Sequence, residues 1–107
     1  MAKTPEAKVR DPVVKWAKEH GIGHVRMSMR PGVRRGVPDD LFLIPGKPRG
    51  WAVFIEFKRP GRAPTPIQSN RIKKLWNLSF DAGAYDNADA AIDYLRTLAG
   101  YAGAKLK

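Results

Sequence analysis

The sequence contains no cysteine, so neither a disulfide nor a thiolate-held zinc is available to it. It has no apolar run near the ~18 residues that span a bilayer, and no apolar stretch follows the N-terminus as in a secretory leader. A soluble, intracellular (cytoplasmic) protein is the expectation, with no membrane partner. Internal repeats and low-complexity tracts are also missing. Acidic residues are in short supply, ten Asp+Glu against twenty Lys+Arg, and the net charge is +10. Such an imbalance attracts polyanions, nucleic acid before anionic membrane.

What is present suffices for one core. The 107 residues are 43% hydrophobic and 9% aromatic, the profile of a globular chain rather than a disordered one. A single domain over 1–107 is expected, with 1–3 and 101–107 fraying.

The central stretch is Trp51-Ala52-Val53-Phe54-Ile55-Glu56-Phe57-Lys58, aromatic and β-branched, between Gly50 and Pro60: a buried strand. Side chains alternate along a strand, so Glu56 and Lys58 share a face, roughly 6.6 Å apart. Charges on a core strand need a partner or a ligand. An exposed pair on an edge strand is the blander alternative.

Thr4-Pro5-Glu6 opens a helix, and Glu6, Val9, Val13, Ala17 and His20 follow one face. Asp11-Pro12 either kinks that helix or starts a new one, and the second case detaches Glu6 from the face. His24–Arg30 alternates, which predicts a strand with Val25, Met27 and Met29 inward and a basic outer face. A cationic loop follows, with Arg34 and Arg35. Asp39–Ile44 is a second strand, and Gly46–Gly50 turns it back antiparallel onto the central one. Arg59–Pro64 is another cationic loop. Thr65-Pro66-Ile67-Gln68 has the capping-box spacing of a helix start, and Ile72, Leu75, Trp76 and Leu78 form that helix's apolar face. Phe80–Tyr85 is a short strand. Asp86 or Asn87 caps a last helix with the stripe Ala88, Ala91, Ile92, Leu95 and Leu98. Trp16, Trp51 and Trp76 read as core. The order αβββαβα predicts an α/β fold, a mixed sheet flanked by helices.

Asp39 lies one hairpin before Glu56, so the two carboxylates can converge. Close carboxylates repel unless a cation lies between them, and Mg²⁺ accepts such a site, with a couple of carboxylates and several retained waters. Lys58 beside it would position water or offset charge on a phosphate, which fits phosphodiester hydrolysis. Asp39 after Pro38 also suits a turn, Gln68 a cap alone, and Glu6 a first-turn acid. His20 and His24 make no zinc spacing; they read as helix-end and strand-surface residues.

Pro38-Asp39 followed by Glu56-Phe57-Lys58 resembles the PD-(D/E)xK nuclease signature. Gly36-Val37-Pro38-Asp39, Phe54-Ile55-Glu56-Phe57-Lys58-Arg59-Pro60-Gly61 and Gln68 resemble, more narrowly, the virus-type replication-repair nuclease (VRR-NUC) domain. The resemblance runs from about Glu6 to Leu98. It implies a restriction-endonuclease-like core and a Mg²⁺- or Mn²⁺-dependent endonuclease. Glu6, Asp39, Glu56 and the Phe57 backbone carbonyl would be metal ligands, with Lys58 catalytic and Gln68 beside the site. It also implies branched or Holliday-junction DNA as substrate, a homodimer, and a phage or prophage origin. Arg26, Arg30, Arg34, Arg35, Arg59 and Arg62 would grip DNA phosphates without reading sequence. The competing reading is a basic nucleic-acid-binding module without catalysis.

Overall fold

The computed structural model describes residues 3–27 and 38–107. Among them the order is α1 (Pro5–Glu19), β1 (Gly23–Arg26), β2 (Asp40–Ile44), β3 (Trp51–Phe57), α2 (Pro66–Asn77), β4 (Asp81–Tyr85) and α3 (Ala88–Tyr101). The expected αβββαβα order and mixed sheet are both present. The sheet order is β1-β2-β3-β4. The first two pairings are antiparallel and β4 runs parallel to β3, so the β3–β4 connection needs a crossover, which α2 provides.

Local chemistry accounts for the boundaries. Thr4 Oγ1 accepts from the Ala7 N–H, and Pro5 opens α1 where no amide partner is required. Pro12 sits inside α1 without ending it, so Glu6 stays on the face that buries Val9, Val13 and Ala17. Asn87, not Asp86, caps α3 by accepting from the Ala90 N–H. The β2–β3 hairpin requires its glycines: a Cβ on Gly46 would lie 2.5 Å from the Arg49 carbonyl oxygen, and one on Gly50 2.8 Å from that of Ile44.

Helices α1 and α3 cover one sheet face. Val9, Val13, Ala17, Ala91 and Leu95 close there on Phe42, Ile44, Val53, Ile55 and Phe57. On the other face α2 reaches only the β4 side, where Ile72 and Leu75 pack on Ala82 and Phe54. This corrects the reading of α2: Trp76 is 54% and Leu78 69% exposed, because a helix seated on the edge of a four-stranded sheet has too little surface beneath it to bury a wide stripe. Trp76 keeps its ring on the protein through an Nε1–H bond to the Ala82 carbonyl, 2.8 Å.

Strand β1 is also corrected. Val25 is exposed while His24 turns inward, the reverse of the expected facing, because His24 has a buried carboxylate to meet. Met29 and the remainder of that expected strand, from Ser28 on, lie outside the described residues. Of the segment 101–107, expected to fray, Tyr101 ends α3 and is exposed, whereas Ala102 is buried, Ala104 and Leu106 pack on the core, and the Lys107 N–H reaches the His20 carbonyl.

Leu95→Ala, at the centre of the larger core, should lower the unfolding free energy by about 2–5 kcal/mol. Leu78→Ala should change it by less than about 0.5 kcal/mol. Urea titration of both variants measures the contrast, and comparable losses would contradict this packing.

Candidate active site

Strand β3 lies between β2 and β4, so both its backbone edges are hydrogen-bonded. Glu56, near its C-terminal end, is buried, 5% exposed. Asp40 pairs with Ile55 in the antiparallel register, and one step further along Asp39 arrives beside Glu56. The two carboxyls come within hydrogen-bonding reach. Burial first, then the hydrogen bond and the negative charge of Asp39, push the Glu56 carboxyl up to about 8, while the Lys58 charge and a backbone hydrogen bond from Asp39 act the other way. Apart from a cation, a proton on Glu56 is what allows this pair to coexist.

Lys58 follows β3 directly, its amide bonded to the Tyr85 carbonyl at 2.9 Å. Its Nζ donates to Gln68 Oε1 at 3.2 Å. The same oxygen accepts the Thr65 N–H at 2.9 Å, and Thr65 Oγ1 accepts the Gln68 N–H. Gln68 therefore closes the capping box of α2 and anchors the lysine with one atom, so the two readings of this residue coincide. The loop between them is tied down by the Gly61 N–H on Asp86 Oδ2, 3.0 Å.

A second group was not expected from the sequence. Asp40, fully buried, accepts from Arg10 Nε at 2.9 Å and meets His24 Nε2 at 2.6 Å. Arg10 is buried as well, lies 5.5 Å from the centre of the Phe57 ring, and brings Nη2 to 3.8 Å from Asp39 Oδ2. No described side chain is left with a buried unpaired polar atom. The available signal was Asp40 itself: it alternates with Phe42 and Ile44 on a core-facing strand, and a carboxylate there requires a cation.

The structure thus brings Asp39, Glu56, Lys58 and Gln68 together, with the Phe57 carbonyl on the same strand end. Glu6 is half-buried one helical turn before Arg10. It does not complete a cluster with Asp39 and Glu56: among the described residues no three His, Cys, Asp or Glu groups gather closely enough to hold a metal ion. Arg26, Arg59 and Arg62 are exposed, Arg26 across from Asp40 in the β1–β2 register. Arg30, Arg34 and Arg35 lie outside the described residues. As a donor set, two carboxylates and a peptide oxygen fit a hard divalent cation, which needs few protein ligands and keeps waters. The proton that Glu56 retains marks the position where such a charge would fit.

No family model matches the chain. A phage protein, "Putative nuclease p44" of Acyrthosiphon pisum secondary endosymbiont phage 1, is 41% identical over 69 residues, which are 64% of this chain and 68% of that protein. A solved structure titled "VRR_NUC domain" superposes with a TM-score of 0.72 at 22% identity, covering 89% of this chain and 97% of the other. A second, "VRR_NUC domain protein", gives 0.62 at 24% identity, with 91% and 89% covered. The chain belongs to the family of this phage nuclease and has the VRR-NUC fold. The VRR-NUC fold is what sets the end of β3 beside the start of β2, and that junction is where the half-exposed Asp39 meets the buried Glu56.

A carboxyl whose pKa is raised by folding holds its proton more tightly in the native state than in the unfolded chain. Its stabilising contribution is complete below pH ~4.5 and is lost as pH rises through about 8. The metal-free protein should therefore melt at a lower temperature at pH 8.5 than at pH 5. Glu56→Gln, which cannot ionise, should flatten that decline and melt above the wild type at pH 8.5. Calorimetry across this range tests the assignment, and an unchanged slope in Glu56→Gln would refute it.

Proposed function

We propose that the protein is a Mg²⁺- or Mn²⁺-dependent DNA endonuclease that hydrolyses phosphodiester bonds in branched or junction-containing DNA. The observation that carries the reading is the Asp39–Glu56 carboxyl pair at the end of β3, with Lys58 held beside it by Gln68, in a chain of net charge +10.

Asp39, Glu56 and the Phe57 carbonyl would hold the ion. A bound divalent cation acidifies a water and offsets charge that develops on the phosphate. The chain's own groups do the rest. Lys58, its ammonium steered by Gln68 Oε1, donates to the attacked phosphate or its water as negative charge builds up. A cleft of about 310 Å³ beside Lys58, bounded by Arg62, Tyr85 and Asp86, offers the strand a path. Exposed Arg26, Arg59 and Arg62 would contact its phosphates, giving binding that weakens steeply with salt. Such contacts carry no base code, which favours selection by DNA shape.

A homodimer follows from the same reading, because paired incisions at a two-fold junction need two sites. The phage origin of the 41%-identical relative supports a phage or prophage setting, with action on DNA inside the host cell. No described helix is long and apolar enough to cross a membrane.

Incubation with four-way junction, flap and linear duplex, with and without Mg²⁺, should give scission that EDTA abolishes and that favours the branched substrates. Glu56→Ala should lose detectable cutting, and Lys58→Ala should lose about 100-fold or more, while both still bind DNA. Binding without scission by the wild type would leave a non-catalytic module, and wild-type nicking by Glu56→Ala would rule out the site. Sedimentation at micromolar concentration should give a particle of twice the 11.9 kDa chain mass.

A further inference from the structure

Among the described residues, Arg10 is the one side chain that forms charge contacts with both residues of the Asp39-Asp40 doublet. Its Nε donates to Asp40 Oδ1 at 2.9 Å and its Nη2 lies 3.8 Å from Asp39 Oδ2. The second distance is a charge contact, too long for a hydrogen bond. The guanidinium cannot swing freely. Asp40 is 0% exposed and its second oxygen is held by His24 Nε2 at 2.6 Å, while the Arg10 guanidinium carbon sits over the Phe57 ring, 5.5 Å from its centroid. Fixing Nε of a planar fork fixes the direction of its Nη atoms. The chain of contacts His24–Asp40–Arg10–Asp39 therefore runs from β1 through β2 to α1 and returns to the carboxylate that faces Glu56. It spans three elements and ends at the candidate site.

We propose that Arg10 is a positioning residue, pinned by Asp40 and His24, that aims the Asp39 carboxylate at Glu56, so that the pair is arranged before a cation or DNA arrives. The inference rests on the nuclease reading of that pair. A plain structural role, in which the ion pair only fastens α1 to the sheet, accounts for the Arg10–Asp40 bond. It does not account for the second contact to Asp39 or for the guanidinium's place over Phe57, whose carbonyl belongs to the same site. Groups that orient a metal-binding side chain in this way typically change metal affinity or activity by about 10–100-fold when altered.

Arg10→Lys separates the two roles. It keeps the positive charge, so the electrostatic effect on a nearby cation is unchanged, but an ammonium has no rigid fork with which to hold two carboxylates. Both proteins are assayed well below their melting temperatures. Mn²⁺ binding is measured by titration calorimetry without DNA, and scission of a four-way junction at saturating Mn²⁺. The expected result is Mn²⁺ binding weakened by about tenfold and scission slowed by at least as much, in a variant that circular dichroism shows to be folded. Wild-type affinity and rate in folded Arg10→Lys would overturn the proposal and leave only the structural role. If Arg10→Lys does not fold, His24→Gln takes its place: it loosens Asp40 from the far side, leaves Arg10 intact, and should shift both readouts in the same direction by about threefold. Unchanged readouts in a folded His24→Gln would then overturn it. A wild-type protein that neither binds Mn²⁺ nor cuts DNA is a different failure and defeats the nuclease reading itself.

Discussion

Two carboxyl groups, Asp40 and Glu56, are taken out of water at the same end of neighbouring strands, and the surrounding structure answers each differently. Asp40 meets a guanidinium and an imidazole that use both its oxygens, so its charge is matched within the protein. Glu56 meets another acid, Asp39, and a lysine already held elsewhere, so its charge is left unmatched. Burying an unmatched charge is expensive, and the Glu56 carboxyl answers by holding its proton up to about 8. The closed network and the open one stand next to each other, and Arg10 joins them.

The fold serves this junction. The antiparallel hairpin sets Asp39 and Glu56 side by side through its register. The parallel pairing of β4 buries the far edge of β3 and fixes the Lys58 backbone through Tyr85. The crossover helix required by that pairing begins at Thr65, close enough for its capping residue Gln68 to reach Lys58. One local device, a capping box, thereby gains a second use. Helix α1 closes the remaining side with Arg10, which an unbroken helix across Pro12 makes possible.

Attraction of a polyanion has a simpler origin. The excess of ten positive charges acts at a distance and brings a polyanion in from any direction. In the proposed reading the small acidic junction holds cations where the rest of the surface repels them, and cutting is placed there. Charge of opposite sign at the two length scales is what separates a nuclease reading from that of a merely basic surface.

Features fixed by neighbours in sequence were legible in the chain alone. The caps at Thr4 and Thr65, the hairpin glycines, the buried run of β3 and the Asp39, Glu56, Lys58 spacing are all local, and the αβββαβα order follows from them. Features fixed by neighbours in space were not. An alternating strand has two possible inner faces, and only the buried Asp40 decides that His24 and not Val25 turns inward. A helix's apolar stripe does not reveal how much sheet lies beneath it, so Trp76 and Leu78 read as core although α2 sits at an edge. An arginine between Val9 and Asp11 looks like solvated charge until the packing of α1 against β2 places it over Asp40. The sequence by itself determined which elements form and which acids and amine approach one another along β2 and β3; the tertiary structure alone decided which charges are buried, because burial depends on what packs above a residue, and that partner is supplied by distant parts of the chain.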